Sequence, residues 1–209
     1  MATKTDKPFV KLRLDYVDSD YSRTLVVPQA WSLAFLHEVI QAAFGWLGYH
    51  AYAFQGPGER GVRYELPDDC GCSCEDCGRC ASPEATAIAE VLGRKGSELT
   101  YEYDFGDGNQ VLVTSLGAVA KIEPKDFASV GPDLIEDAGG LGFMPGIVKI
   151  LRGSKRGGDY RLCVDWLKAM WNRTPEAVLR EPEAGEIAGR VWRLVRAVET
   201  AIPKPPEAR

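Results

Sequence analysis

The sequence predicts an α+β fold: a mixed or antiparallel sheet packed on one main helix in β-β-α-β order, with a cysteine-rich metal-binding loop and a C-terminal helical extension. Three observations predict it. Leu99 to Tyr103 and Gln110 to Thr114 are β-prone runs around an Asp- and Gly-rich knot, which reads as a hairpin central to a sheet. Leu33, Leu36, Ile40, Ala43 and Phe44 recur at helical spacing, which gives the main helix. Beyond Gly146 the apolar spacing turns helical almost throughout.

Taken in order, Val10, Leu12, Leu14 and Tyr16 alternate with Lys11, Arg13 and Asp15, the pattern of a half-buried strand. Asp18 to Asp20 is turn chemistry, and Arg23 to Val27 returns as a second strand ended by Pro28. Ser32 offers an N-cap hydroxyl to a helix over Trp31 to Phe44, and Gly45 suits its C-terminal cap. Ala51 to Gln55 and Val62 to Leu66 read as short strands about the Gly56-Pro57-Gly58 turn. A helix is expected from Pro83 to Leu92, closed by Gly93. In the central hairpin, Gly106 to Asn109 tolerate the positive φ of a tight reversal. Leu116 to Ile122 is apolar and ambiguous, and 124–146 reads as loop. Helices are expected over Ile147 to Arg152, Tyr160 to Trp171, Pro175 to Arg180 and Ile187 to Ile202, with a loop at Gly153 to Gly158. The tail from Pro203 is Pro-rich, and no internal repeat is present. The organisation is a domain over 1–150, carrying a cysteine-rich insertion at 67–82, and a helical extension over 151–209 packed on it.

The 209 residues are 45% hydrophobic and 26% charged, enough apolar material for a core without staples. No apolar run approaches the roughly 20 residues of a membrane-spanning helix. Met1 to Pro8 is polar and lacks a secretory core, so a cytoplasmic location with reduced thiols is expected. The net charge of −5 is uneven: 13 Lys and Arg against 8 Asp and Glu from Gly146 onward, 12 against 22 before it. A basic C-terminal part can meet phosphate or an acidic partner through Arg152, Lys155, Arg156 and Arg161, or it can be a set of solvated helix faces.

Cys70, Cys72, Cys74, Cys77 and Cys80 place five thiols in 11 residues, with Gly71 and Gly78 allowing sharp bends. Four of the five can close a tetrahedral shell on Zn²⁺, a structural site with no open position. Cys70/Cys72 with Cys77/Cys80 is one arrangement, and Cys74 can replace a member. An odd local count and close spacing oppose a disulfide framework, and Cys74, Cys77 and Cys80 match a ferredoxin run only in part. Cys163, near Leu162 and Trp166, reads as packing. No nucleophile elbow or phosphate-cradling Gly-Lys-Ser loop is present, and no small-molecule cofactor is evident. Trp31, Trp46, Trp166, Trp171 and Trp192 read as packing anchors rather than a base-stacking platform.

Several stretches together resemble the plasmid pRiA4b ORF-3-like family: Val27-Pro28, Leu36 to Trp46, His50 with Phe54, Leu99 to Gly108 and Ile135 to Gly140. The resemblance covers roughly Phe9 to Leu151. It implies the mixed sheet on one main helix and, since some members accompany plasmids and mobile elements, an accessory role in DNA transactions. The chain departs from the family pattern at Tyr52 and Val111, where the family often has His, and at Asn109, where it often has Trp. The resemblance places His37, His50, Asp104 and Asp107 at recurring motifs. Such a set can hold a divalent metal or move protons; alternatively the histidines are a surface and a strand-edge residue, and the Asp side chains satisfy turn amides. The expected function is therefore a binding or accessory module with a structural zinc site and an unknown protein or nucleic-acid partner. The alternatives are a metal-dependent or acid/base enzyme at the His/Asp set, and a DNA-transaction accessory using the basic helices.

Overall fold

A computed structural model describes residues 7–58, 61–66, 80–153 and 157–201. The first strand, β1 (Phe9–Tyr16), buries Val10, Leu12, Leu14 and Tyr16 as its alternation dictates. It pairs with β2 (Ser22–Pro28) in the register Leu12↔Leu25. Helix α1 (Leu33–Phe44) follows, its first turn capped by Ser32 Oγ, which accepts from Phe35 N at 3.3 Å. Gly45 ends it in the left-handed region at φ 81°, where any Cβ would also press on Asp133.

Two short strands, β3 (Tyr52–Gln55) and β4 (Arg63–Glu65), form a hairpin, and β5 (Cys80–Ala81) lies parallel to β4. A short helix α2 (Ile88–Leu92) leads into the hairpin of β6 (Glu98–Tyr103) and β7 (Asn109–Val119). β8 (Ala128–Val130) completes the sheet in the order β5-β4-β3-β6-β7-β1-β2-β8. Every pairing is antiparallel except β4 with β5, so the sheet is mixed and the expected hairpin lies at its centre. Helices α3 (Phe143–Arg152), α4 (Gly158–Trp171), α5 (Pro175–Leu179) and α6 (Ala184–Ala201) follow. The core lies between α1 and the sheet face carrying Leu12, Leu14, Tyr101, Tyr103, Val111 and Val113.

The structure differs from expectation in three places. Ser82 Oγ accepts from Glu84 N and Ala85 N, so Pro83 sits in a turn rather than a helix. Helix α2 starts only at Ile88, where Glu90 Oε1 accepts from Ala87 N at 3.0 Å. β7 runs on to Val119 through a register shift opposite Lys11 and Leu12, which expels Leu116 and hides the strand's alternation. The stretch 124–146 contains a 3₁₀ turn (Pro124–Asp126), β8 and the start of α3 at Phe143.

The C-terminal helices dock on this body through charge as well as apolar burial. Ile187 and Val191 of α6 are buried against it. Arg190 of α6 grips Asp133 with two nitrogens, at 2.8 and 2.6 Å. Fully buried Arg23 donates to the carbonyls of Ala43, Ser22, Val130 and Pro132, and its guanidinium lies 5.0 Å from the Phe44 ring centroid. Two cations thus meet carbonyls at the C-terminal end of α1, where the helix carries partial negative charge. Burial pulls the Arg23 guanidinium down to about 10, against the opposing pull of Asp133. No helix among the described residues is long and apolar enough to cross a membrane.

Candidate functional site

The site forms where the antiparallel ladder of β3 and β6 runs out. Tyr52 pairs with Tyr103, and one further bond, Asp104 N to Ala51 O at 3.0 Å, carries the pairing past the strand ends. That register sets His50 beside Asp104. Asp104 adopts φ 56°, a left-handed conformation that Asp tolerates in turns. Its Oδ1 accepts from Gly106 N and Asp107 N, at 3.2 and 3.3 Å, which leaves Oδ2 facing His50.

The third wall is the segment Ile135 to Gly140, and the hairpin tip holds it in place. Asp107 Oδ2 accepts from Gly139 N at 2.8 Å. Gly140 lies so close to the Asp107 carbonyl, at φ 81°, that a Cβ there would fall on it. Below them the buried Tyr16 hydroxyl meets Asn109 Oδ1 at 2.8 Å and the Gly140 carbonyl at 3.4 Å. Burial also raises the Tyr16 phenol well above its usual range. Gly139, Gly140 and the Asp104–Gly108 tip are therefore one interlocked unit.

His50, Asp104 and Asp137 present one donor atom each, all within 4.8 Å of one another. His50 Nε2 lies 3.0 Å from Asp137 Oδ1, 3.7 Å from Asp104 Oδ2 and 3.9 Å from Glu136 Oε1. Nε2 is nevertheless buried and makes no hydrogen bond, because proximity to Asp137 comes without the required alignment. Glu136 is otherwise engaged: its side chain is 1% exposed, accepts from the Tyr103 hydroxyl, and accepts from Leu47 N at 3.2 Å. Burial first, and the Glu136 carboxylate second, raise the Tyr103 phenol above its usual range. Asp137 is the open member, 54% exposed.

Of the four residues expected to converge, the structure brings together His50 and Asp104. Asp107 is diverted to the distant Gly139 amide, and Asp104 is the one that accepts from turn amides, those of Gly106 and Asp107. His37 is neither a surface residue nor part of the cluster. It is buried, stacks on Tyr52 at a 3.8 Å centroid distance, and contacts the Tyr101 hydroxyl through Nδ1 at 2.7 Å. That hydroxyl also accepts from Gln41 Nε2, so it donates to a neutral imidazole. Burial pushes His37 down to about 4. Asp137 and Glu136 were missed as site residues, although both lie in the Ile135–Gly140 stretch; the signal was an acidic pair one residue before a Gly-Gly step.

Cys70, Cys72, Cys74 and Cys77 lie outside the described residues. Cys80 opens β5 at the sheet edge. Cys163 is half-buried, and Trp46 is buried while the other tryptophans are half-buried, in line with a packing role. Among the basic candidates, Arg152 pairs with Glu181 at 3.2 Å, Arg161 is exposed, and Lys155 and Arg156 lie outside the described residues.

A two-layer α+β body with a His/carboxylate cluster at the end of its central hairpin is the class that fold and site define. The plasmid pRiA4b ORF-3-like protein family matches residues 9–178, and the chain belongs to this family. It is 35% identical over 133 residues to the uncharacterized protein y4hQ of Sinorhizobium fredii, a match covering 62% of this chain and 61% of that protein's length. The fold is similar to the crystal structure of a protein of unknown function, MM3350, from Methanosarcina mazei Go1. The TM-score is 0.61 at 22% identity, covering 81% of this chain and 97% of the other.

Proposed function

We propose that the chain is a ligand-binding module working through an open divalent-cation site formed by His50, Asp104 and Asp137. The observation that carries this reading is the buried, unbonded Nε2 of His50, surrounded by carboxylate oxygens at 3.0 to 3.9 Å. A buried polar atom without a partner is costly, and a cation accepting its lone pair removes that cost. One imidazole and two carboxylates suit Zn²⁺, Mn²⁺ or Fe²⁺. Three protein ligands leave positions for water or for a ligand's oxygen, the arrangement of working sites rather than of structural ones. Glu136 and Tyr103 supply the outer support that such ligands need.

The test is isothermal titration with Mn²⁺, which favours carboxylate and imidazole over thiolate and so discriminates against the cysteines. One equivalent is expected to bind, and His50→Ala and Asp137→Asn should each weaken binding by about tenfold or more. Equal binding to wild type and His50→Ala would overturn the reading.

A structural zinc clip made by four of Cys70, Cys72, Cys74, Cys77 and Cys80 is a second, separate proposal. It is supported by the thiol spacing and by the sheet edge: β4 and β5 are parallel neighbours, and residues 66–79 join them. Parallel neighbours need a crossover of about a dozen residues or more, and a metal would order such a connection. Zinc analysis of protein purified without added metal tests it, with about one equivalent expected and lost when Cys77 and Cys80 are both changed to Ser, which leaves three thiols. A nucleic-acid surface is less well supported, because Arg152, Arg180 and Arg190 are engaged by Glu181, Glu186 and Asp133.

A further inference from the structure

Asp137 and Gly139 are exposed on either side of Ala138, which is buried in the core, and all three line a groove between α3 and α4 with a volume of about 400 Å³. One wall is Phe143, Ile147 and Ile150, spaced four and three residues apart on α3. The other is Leu162, Cys163 and Trp166, spaced one and three apart on α4. The two stripes face one another as helical periodicity allows. Phe143 is 53% exposed and Leu162 70%, an unusual amount of large apolar surface to leave wet on facing walls. The volume is that of a small-molecule site rather than a macromolecular interface.

Asp137 belongs to both features: it lines the groove and contributes an oxygen to the His50 cluster. We infer that the groove and the cluster are two halves of one site, whose ligand is a small carboxylate carrying an apolar tail. The inference rests on the cation reading above. The tail lies between the apolar stripes of α3 and α4, and the carboxylate reaches the cation beside Asp137.

Charge selects the head group. Bare, the head end presents Asp104 and Asp137 and repels an anion. A divalent cation offsets those two charges and offers the open coordination positions that a carboxylate oxygen fills. The far end of the groove carries Asp159, in the first turn of α4, where an acidic residue is favoured by the helix dipole. A second anionic group on the ligand would meet that carboxylate, so a monocarboxylate fits and a dicarboxylate of equal length does not. Cys163 half-buried in the wall then serves as apolar lining.

The experiment titrates octanoate into the Mn²⁺-loaded full chain, following heat and tryptophan fluorescence, since Trp166 lines the groove. Octanedioate, octylamine and N-acetyl-leucyl-leucine are the comparison ligands; the last separates a peptide C-terminus from an acyl chain as the natural source. Expected are saturable binding of octanoate, at least tenfold weaker binding after chelation of the metal, and at least tenfold weaker binding of octanedioate; tighter binding of N-acetyl-leucyl-leucine than of octanoate would overturn the small-molecule assignment. Leu162→Asp should abolish carboxylate binding while leaving Mn²⁺ affinity unchanged; at 70% exposure this position tolerates the change without loss of the fold. Normal Mn²⁺ binding with no carboxylate binding, or carboxylate binding indifferent to Leu162→Asp, would overturn the inference and leave the cation reading standing. Octylamine binding best to metal-free protein would overturn it too, by assigning the groove to cations. Absence of Mn²⁺ binding would instead remove the cation reading itself.

Discussion

The Tyr103 hydroxyl donates to the carboxylate of Glu136, joining the central strand β6 to the segment that carries Asp137. The same hydroxyl accepts from Tyr49 N at 3.0 Å, just ahead of His50. One phenol therefore indexes both sides of the candidate cation site. Tyr103→Phe is expected to leave the buried Glu136 carboxylate with the Leu47 amide alone, costing about 1–3 kcal/mol in denaturant unfolding. Mn²⁺ affinity should fall about tenfold with every direct ligand still present. Unchanged affinity would show that Tyr103 has no positioning role.

His37 gives the fold a pH dependence with a defined sign. Burial depresses its folded value to about 4, below the ordinary 6.5. Between these values the unfolded chain binds the proton that the folded chain refuses, so stability falls as pH drops from about 6.5 to about 4. The loss attributable to this group is about 3 kcal/mol, complete below the folded value. Urea unfolding between pH 7.5 and 4.5, compared with His37→Gln, isolates it: the variant should show the shallower slope over that range.

Gly140 is expected to tolerate no side chain. Gly140→Ala combines a left-handed φ with a Cβ placed on the Asp107 carbonyl. It should part the hairpin tip from the Asp137 segment and weaken Mn²⁺ binding along with stability. Gly142→Ala, also at positive φ but with open space around it, controls for conformational strain alone. It should leave metal affinity intact.

Arg23 and Asp133 tie the sheet, α1 and α6 together. Arg23→Met would leave the carbonyls of Ala43, Val130 and Pro132 without their donor and free Asp133 of one of its two arginines. The expected cost is about 3–5 kcal/mol of unfolding free energy. Arg190→Ala removes the partly exposed arm from α6 to Asp133 and the Ala42 carbonyl. It should cost clearly less, which thermal unfolding of the two variants side by side would check.

The fold was legible in the sequence wherever one face of an element is buried and the other is wet. The alternation in β1 and β6, the helical stripe of α1 and its Ser32 and Gly45 caps are local signals that tertiary packing reinforces. They failed where a local irregularity broke the period. The bulge at Leu116 masked the end of β7, and the Ser82 turn shortened α2. Of the candidate site, His50 and Asp104 were named through the family resemblance, and strand register is what sets them side by side. Asp137 arrives from 33 residues beyond Asp104 through a loop whose position depends on Gly140 and Asp107, and no periodicity encodes that. Neither alternative for His37, cluster member or surface residue, matches its buried place, because a polar side chain on an apolar stripe gives no sign, in sequence, of the Tyr52 ring and Tyr101 hydroxyl that receive it.

The central claim is that His50, Asp104 and Asp137 share one cation. The most direct measurement is anomalous diffraction from crystals soaked in Mn²⁺, collected where manganese scatters anomalously. The account predicts a single peak about 2.0–2.3 Å from His50 Nε2 and from one oxygen each of Asp104 and Asp137, absent in His50→Ala crystals. No peak there, with Nε2 instead turned into a hydrogen bond with the Asp137 carboxylate, would contradict it.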